Sequence, residues 1–158
     1  MAKQVKQLQP PKGCSRILFR TPIWFYRLGL GWLFGRRMLL LIHTGRISGQ
    51  SRQAVLEVVQ HQADKNTYIV AVGFGQKSQW YQNLLVNPWA KVQVGLKKWD
   101  VVAEQLSPQV GAEAFRDFCK NNPGEARLAG LLGYEVDGSE EDFRKMGEMM
   151  IFIGLQPR

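Results

Sequence analysis

Two short stretches of this sequence combine glycine, hydroxyl and cationic residues in the way that anion-binding loops do. The first, TGRISGQSR, runs from Thr44 to Arg52, and the second, GFGQKSQWYQN, runs from Gly73 to Asn83. Short loops of glycine and serine direct several backbone N–H groups to one point, and such concavities bind anions. Arg46, Arg52 and Lys77 would add fixed positive charge, and arginine is suited to bidentate contact with a phosphate.

Aromatic side chains follow the second loop directly. Trp80 and Tyr81 would place flat faces beside the cations. We therefore predict one ligand that carries both a phosphate and a ring system and contacts both loops. Simpler interpretations remain open, because Gly45 and Gly49 also suit a tight turn between strands, and an adjacent tryptophan and tyrosine can belong to a hydrophobic core.

Apolar runs on either side of these loops predict the strands that must hold them. Short apolar or alternating runs that are bounded by turn residues are typical of strands. Six such runs occur, at Met38–Thr44, Gln53–Val59, Thr67–Val72, Ala90–Val94, Lys98–Glu104 and Met149–Leu155. Most follow one another in antiparallel order, and an antiparallel sheet removes its open edges by closing on itself. We therefore predict a mainly β fold of the α+β class, a small barrel with helices packed outside.

Capping signals predict where those helices lie. Pro22 can open an N-terminal helix within Ile17–Gly35, with Thr21 as its cap, and Ser78 can cap a short helix that ends at Val86. Three later helices are marked by a serine or a proline at their start, and they are predicted to follow Ser107, to span Pro123–Leu132 before Gly133, and to follow Ser139.

The positive charge is concentrated in the N-terminal part of the chain. A length of 158 residues indicates one domain, which we place at residues 17–158 after a loose arm at residues 1–16. The net charge is +8, but residues 1–60 hold ten Lys/Arg and a single acid, Glu57. This asymmetry indicates an anionic partner. Two non-catalytic alternatives follow, a nucleic-acid module and a protein that contacts a membrane surface through Ile17–Gly35.

Several other chemistries lack support in the sequence. Cys14 and Cys119 form no C-x-x-C spacing, and His43 and His61 lie far apart in or beside predicted strands, so we interpret both histidines as structural and predict no metal. Neither G-x-S-x-G nor H-E-x-x-H occurs, so no hydrolase is indicated. The first residues lack the apolar core of a signal peptide, and Met38–Ile42 is too short to span a bilayer. We expect a cytoplasmic protein, with peripheral contact at the inner face of the membrane left open.

From about Leu39 to about Glu104, the sequence resembles the deazaflavin-dependent nitroreductase family. Members of that family show a strand, a T-G-R-x-S/T-G-x-x-R loop, a hairpin, and a second loop that leads to W-Y-x-N-L and then N-P-x-V-x-V. These motifs correspond here to Thr44–Arg52, Trp80–Leu84 and Asn87–Val94. No single motif is specific, but the ordered set is, and the closing strand Met149–Pro157 also matches.

The resemblance implies a split β-barrel related to FMN-binding barrels, which binds the deazaflavin coenzyme of the F-420 type (8-hydroxy-5-deazaflavin). In the family, the first loop holds the phosphate and acidic tail of the coenzyme, while the second loop and the following helix start lie along its ring. The residues implied on the phosphate side are Arg46, Ile47, Ser48, Gly49 and Arg52. Those implied on the ring side are Ala71, Val72, Gly73, Phe74, Lys77, Ser78, Gln79, Trp80, Tyr81 and Asn83.

The implied activity is hydride transfer between the reduced coenzyme and an electron-poor small organic acceptor. The cofactor supplies the chemistry, and Ser78, Tyr81 and Tyr134 are candidates to stabilise charge on the acceptor. Ile47 and Phe74 stand where many members carry lysine, and the loss of these cations makes FMN the alternative cofactor. We expect a monomer or a homodimer, and no nucleic-acid partner.

Overall fold

The computed structural model describes residues 2–6, 9, 14–125 and 133–158. Within this part of the chain the strands, in chain order, are β1 (Lys3–Gln4), β2 (Met38–Thr44), β3 (Ser51–Gln62), β4 (Thr67–Ala71), β5 (Trp89–Val94), β6 (Lys97–Gln105), β7 (Tyr134–Glu135) and β8 (Phe152–Pro157). The α-helices are α1 (Cys14–Arg27), α2 (Gln79–Val86), α3 (Pro108–Asn121) and α4 (Glu140–Glu148). Single 3-10 turns occupy Gly31–Phe34, Gly75–Lys77 and Pro123–Glu125.

Six of these strands form a closed barrel in the order β2-β3-β4-β8-β6-β5, and every pairing in it is antiparallel. Closure leaves no strand of the barrel with an open edge. The predicted α+β barrel with helices outside is thus confirmed. The predicted strands are also confirmed, with β3 extending further at both ends than the apolar run Gln53–Val59 suggested.

The alternation of side chains along β2 explains how the barrel is filled and covered. Leu39 and Leu41 are fully buried in the barrel interior, and His43 continues the same face at the end of the strand. Leu40, on the opposite face, is buried under Ile23 of α1. The first helix therefore lies against the outside of the barrel.

Antiparallel closure gathers the candidate loops at one end of the barrel. β2 ends at Thr44 and β4 ends at Ala71, while β3, β5 and β8 begin at this same end. Helix α2 crosses the opening here, and its Tyr81 and Leu84 join the barrel core. Both predicted ligand loops therefore border α2.

A second core lies between the barrel wall and the pair of helices α3 and α4. Ile69 and Phe152 face outward from the barrel into this layer and meet Phe115 and Met146. The two helices pack closely because Gly147 lies against the backbone of Ala112. The predicted cap of α4 is confirmed, since the hydroxyl of Ser139 accepts a hydrogen bond from the Asp142 N–H.

The predicted start of the first helix is wrong. α1 begins at Cys14, and Pro22 lies inside it rather than at its first position. A proline inside a helix removes one backbone hydrogen bond, and the packing of Ile23 and Tyr26 on the barrel offsets that loss. The helix ends before Gly29, which adopts a positive φ of 75°.

Two further boundaries differ from the sequence-based expectations. The closing strand begins at Phe152 rather than Met149, because Met149 still caps α4 with helical dihedral angles. The helix predicted over Pro123–Leu132 begins as a 3-10 turn at Pro123–Glu125, and residues 126–132 lie outside the described part of the chain.

The first residues pair with the C-terminal part of the chain. β1 pairs with β7 in antiparallel register, and the Val5 and Lys6 N–H groups both donate to the Gly133 carbonyl. The division into an arm at residues 1–16 and a domain at residues 17–158 stays a prediction. No helix among the described residues is long and apolar enough to cross a membrane.

The close approach of α3 and α4 can be tested with Gly147→Ala. A Cβ at this position would lie 2.7 Å from the Ala112 Cα, a backbone atom that cannot move aside cheaply. Although alanine favours a helix over glycine by roughly 1 kcal/mol, we expect a net loss of about 1–3 kcal/mol in the free energy of unfolding, measured with urea. Gly124→Ala is the control, because a Cβ there would meet none of the described residues within 4 Å. Unchanged stability of Gly147→Ala would refute the proposed packing.

Candidate functional site

The first loop is a tight turn between β2 and β3. The Gly45 N–H donates to the Gln50 carbonyl and the Gly49 N–H to the Gly45 carbonyl, both at 2.8 Å. Gly49 has a positive φ of 66°, a conformation that glycine adopts without strain. At Gly45, a Cβ would lie 2.8 Å from the Ser48 Oγ. Both glycines thus serve the turn, as the simpler interpretation held, and the turn fixes the groups that it carries.

Two backbone donors of this loop are left without an acceptor in the described part of the chain. Among the described residues, no acceptor receives a hydrogen bond from the N–H group of Ile47 or of Ser48. The Ser48 Oγ lies 3.3 Å from Arg52 Nη2, which brings a guanidinium to the same loop. Two consecutive amides, a hydroxyl and a cation are a donor set that suits an anion.

Arg46 ties the first loop to the start of α2. Its backbone N–H and its Nη1 both donate to the Asn83 Oδ1, at 3.1 and 2.9 Å. Its Nη2 donates to the Gln79 Oε1 at 3.1 Å. Within the described residues, neither Arg46 nor Arg52 forms an ion pair with a carboxylate. Both guanidinium charges are therefore left without a carboxylate partner in the described part of this end of the barrel.

His43 lies beneath this network. Its side chain is only 5% exposed, and its Nδ1 lies 3.2 Å from the Asn83 Nδ2. Burial, together with the positive charge of Arg52, lowers the pKa of His43 from 6.5 to about 4. The imidazole is therefore neutral at physiological pH.

The second loop forms one wall of a cavity of about 380 Å³. Val72 and the first four residues of the loop form this wall, and the opposite wall comes from β1, β7 and the segment before β8. The lining residues are Gln4, Val72, Gly73, Phe74, Gly75, Gln76, Tyr134, Met149, Met150 and Ile151. Lys77, just beyond this wall, donates from Nζ to the Gln9 Oε1 at 3.2 Å.

Ser78 occupies the N-cap position of α2 but does not cap it. Its hydroxyl makes no capping hydrogen bond, which corrects the prediction made from the sequence. The side chain is 2% exposed, and its Oγ has no hydrogen-bond partner among the described residues. A buried hydroxyl without a partner is costly in free energy. The Ser78 hydroxyl is thus a buried group that the described residues leave unsatisfied.

The aromatic candidates differ in their surroundings. Tyr81 is buried in the barrel core, and its hydroxyl donates to the Gln105 Oε1 at 2.8 Å, whereas Trp80 is partly buried and packs against the same core. Tyr134 is buried in the second core and also borders the cavity. Its burial raises the pKa of the phenol above the ordinary value of 10.0, so Tyr134 carries its proton at neutral pH.

The structure thus joins the first loop to α2 through Arg46, Gln79 and Asn83, and it joins the second loop to Tyr134 through the cavity.

Sequence reasoning missed the contribution of His43, although its position two residues beyond Leu41 on the inward face of β2 was a usable signal. It also missed the Met149–Ile151 wall of the cavity, which no local pattern indicates. The described residues contain no cluster of His, Cys, Asp or Glu that could hold a metal ion.

Comparison with known protein families identifies the family of this chain. Residues 18–130 match the family described as "F420H(2)-dependent quinone reductase". This chain belongs to that family. Rv3178 of Mycobacterium tuberculosis, whose provisional name is also F420H(2)-dependent quinone reductase, is 39% identical over 102 residues, covering 58% of this chain and 83% of the relative.

Solved structures confirm the fold. An F420-H2-dependent reductase, FDR-A, superposes with a TM-score of 0.54 at 21% identity, covering 77% of this chain and 96% of the other. A pyridoxamine 5'-phosphate oxidase-related, FMN-binding protein from Nostoc punctiforme gives a TM-score of 0.52 at 14% identity, covering 92% and 81%. At these identities the likeness concerns the barrel alone.

Family membership makes this chain a deazaflavin-dependent reductase with coenzyme F-420 as its cofactor. This membership identifies the chain as an enzyme rather than as a non-catalytic protein, and it identifies the cofactor as deazaflavin rather than FMN. The described residues fit such a coenzyme, since the uncompensated Arg46 and Arg52 suit its phosphate and acidic tail, and the partnerless Ser78 Oγ lies at the start of α2.

The neutral state of His43 predicts a pH dependence of stability. Because its pKa is lowered on folding, only the unfolded chain binds a proton here between pH 6.5 and about 4. Stability should therefore fall as the pH falls through that window, by about 3 kcal/mol in total. Urea unfolding of wild type and His43→Asn between pH 7 and pH 4 measures the difference, with His61→Asn as the control. If the free energy of unfolding depends on pH in the same way in wild type and His43→Asn, the lowered pKa of His43 is contradicted.

Proposed function

We propose that this enzyme reduces quinones with hydride from reduced coenzyme F-420 bound across the two loops at the α2 end of the barrel. The observation that carries the proposal is the contact of Arg46 with Asn83 and Gln79. Through this contact, the predicted phosphate loop and the predicted start of the ring-binding helix form one surface. The quinone follows from the description of the family, and electron-poor quinones are suitable hydride acceptors.

The phosphate side of the coenzyme would bind at the first loop. Arg46 and Arg52 supply uncompensated charge, and the amides of Ile47 and Ser48 supply oriented donors. Charge-assisted hydrogen bonds to such donors are about twice as strong as neutral ones. Ile47 and Phe74 add no cation where related proteins often carry lysine, so these two arginines are expected to dominate the affinity for the acidic tail.

The acceptor would enter the cavity beside the second loop. Its wall combines apolar side chains, such as Val72, Phe74 and Ile151, with the polar groups of Gln4 and Tyr134. Most of the exposed lining is polar, so the cavity offers hydrogen-bonding groups to a small acceptor that carries oxygens. The walls would orient a quinone ring, and its carbonyl oxygens would face the polar groups.

The bound coenzyme supplies the hydride, and the residues of this chain bind, orient and stabilise charge. Tyr134 keeps its proton at neutral pH and can donate a hydrogen bond to an oxygen that gains negative charge. Ser78, at the start of α2, has an Oγ without a partner among the described residues, but this oxygen is buried and does not line the cavity, so the side chain would have to move to reach the acceptor. Tyr81 is the weakest of the three candidates, because its hydroxyl already donates to Gln105.

The phosphate assignment predicts a loss of coenzyme affinity in Arg52→Ala. Removal of a charged hydrogen bond should weaken binding of oxidised coenzyme F-420 by about 10-fold or more in a fluorescence titration. The control is Arg116→Ala on α3, whose guanidinium pairs with Glu113 and Asp117; this variant should bind as wild type does. Tight binding of FMN without binding of F-420 would overturn the proposed cofactor site.

We also propose that the enzyme contacts the surface of an anionic membrane through α1 and the 3-10 turn after it. Ile23 and Tyr26 face the barrel, but a set of large apolar side chains on the other face is exposed: Trp24, Phe25, Leu28, Trp32 and Leu33. The cations around them are Arg20, Arg27, Arg36 and Arg37, and no acid precedes Glu57 in the sequence. Exposed aromatic groups among cations are typical of interfacial helices. Quinones with long apolar chains reside in membranes, so the contact would bring enzyme and acceptor together.

The membrane contact predicts that tryptophan on this face is needed for binding to lipid. Trp24 and Trp32 are 59% and 57% exposed, and Trp89, on β5, is 49% exposed and serves as the control. Wild type and Trp89→Ser should co-sediment with phosphatidylglycerol vesicles but not with phosphatidylcholine vesicles. Trp24→Ser with Trp32→Ser should bind at least 10-fold more weakly, given roughly 1.5–3 kcal/mol for burial of a large apolar side chain.

Two results would contradict the membrane contact. One is failure of wild type to sediment with either vesicle. The other is a concentration-dependent molecular mass that the double variant abolishes, which would assign this face to contact with a second copy of the chain.

A further inference from the structure

The side-chain amide of Asn83 is shared between two partners on opposite sides. Its Oδ1 accepts hydrogen bonds from the backbone N–H and the Nη1 of Arg46, at 3.1 and 2.9 Å. Its Nδ2 faces the Nδ1 of His43 at 3.2 Å. Asn83 is 5% exposed, so water cannot readily replace either partner.

These contacts fix which atoms donate and which accept. Arg46 offers only donors, so the oxygen of Asn83 must face it and the NH2 group must face His43. The Nδ1 of His43 then has to be an acceptor, and the proton of the neutral imidazole lies on Nε2. If the imidazole bound a second proton, donor would face donor, and Asn83 could satisfy His43 only by turning its oxygen away from Arg46.

We propose that His43 is a positioning residue for the coenzyme site, which acts through Asn83 to hold Arg46 in place at the phosphate loop. The proposal rests on the proposed function, and it assigns to a buried histidine a role that its residue type alone does not reveal. His43 is buried at the end of β2, so it connects the loop to the wall of the barrel. A loop that is held in place before binding loses less conformational freedom when the coenzyme binds.

The charges around His43 favour this arrangement. Arg52 approaches it from β3 and raises the cost of protonating the imidazole. Arg46, from the loop, lies on the far side of Asn83. Helix α2 contributes the uncharged Asn83 to this contact, and no carboxylate among the described residues pairs with His43. β3, the first loop and α2 thus all favour a neutral His43 whose Nδ1 accepts a hydrogen bond.

Two substitutions separate positioning from mere packing. His43→Leu keeps an apolar side chain of moderate size but removes the acceptor. His43→Asn is smaller and packs less well, but its Oδ1 can take the place of Nδ1 as the acceptor. A packing role predicts that Leu is tolerated better than Asn, whereas the positioning role predicts the reverse.

The test measures affinity for oxidised coenzyme F-420 by fluorescence titration at pH 7.5. We expect binding to weaken about 10-fold in His43→Leu and by no more than about 3-fold in His43→Asn. His61→Leu, at a histidine that contacts Tyr68 and Asn66 instead, should bind as wild type does. A double-mutant cycle with Asn83→Ala should show that His43→Leu has no further effect once Asn83 is absent.

A second readout does not depend on the coenzyme. Hydrogen exchange at the Arg46 backbone amide reports its bond to Asn83, and it should be faster in His43→Leu than in wild type or His43→Asn. If wild type fails to bind F-420, the proposed function fails, and this exchange still decides the role of His43. If His43→Leu folds and shows the affinity of wild type for F-420 and the same exchange rate at the Arg46 amide, the inference is overturned. If His43→Leu does not fold, His43→Gln replaces it, since its acceptor lies further out than Nδ1.

Discussion

Closure of the barrel is the constraint on which the site depends. Because every pairing is antiparallel, consecutive strands deliver their connections alternately to the two ends, and the loops after β2 and β4 arrive at the same one. Helix α2 then has to cross that end to reach β5, and it covers the core with Tyr81 and Leu84 while presenting Gln79 and Asn83 to the first loop. The site is thus a consequence of topology, before any residue in it is chosen for chemistry.

The polar contacts at this end are arranged in order of burial. His43 and Asn83 lie inside, Arg46 is half-buried, and Arg52 and Ser48 are exposed. The buried members are neutral and contact each other through Asn83 Nδ2 and His43 Nδ1, and their neutrality avoids the cost of an unpaired charge in the interior. The charged members remain nearer to solvent, where they can attract an acidic ligand, and no carboxylate in the described part of the chain pairs with them. This order of burial allows a stable barrel to carry the proposed anion site at its surface.

Local sequence patterns were sufficient for the strands and for the first loop, because alternation and glycine-rich turns are encoded by neighbours in the chain. They failed where distant contacts decide. Pro22 lies inside a helix because Ile23 and Tyr26 pack on β2, and Ser78 does not cap α2 although serine commonly caps helices. The cavity could not be predicted from the sequence, since Gln4, Phe74 and Tyr134 come from three distant segments and only the tertiary fold brings them together. The motif resemblance supplied the identity of the coenzyme, which periodicity alone could not.

The pairing of β1 with β7 brings an N-terminal residue to the cavity. Gln4 lines the cavity, and a Cβ on Gly133 would meet the Lys6 carbonyl, so this position accepts only glycine while the N-terminal residues stay in place. A chain shortened to begin at Cys14 would lack Gln4 and so would change the lining of the cavity, while the residues of the first loop and of α2 would all be kept. Under the proposed function, the first few residues of this chain would therefore affect the choice of acceptor and not the choice of coenzyme.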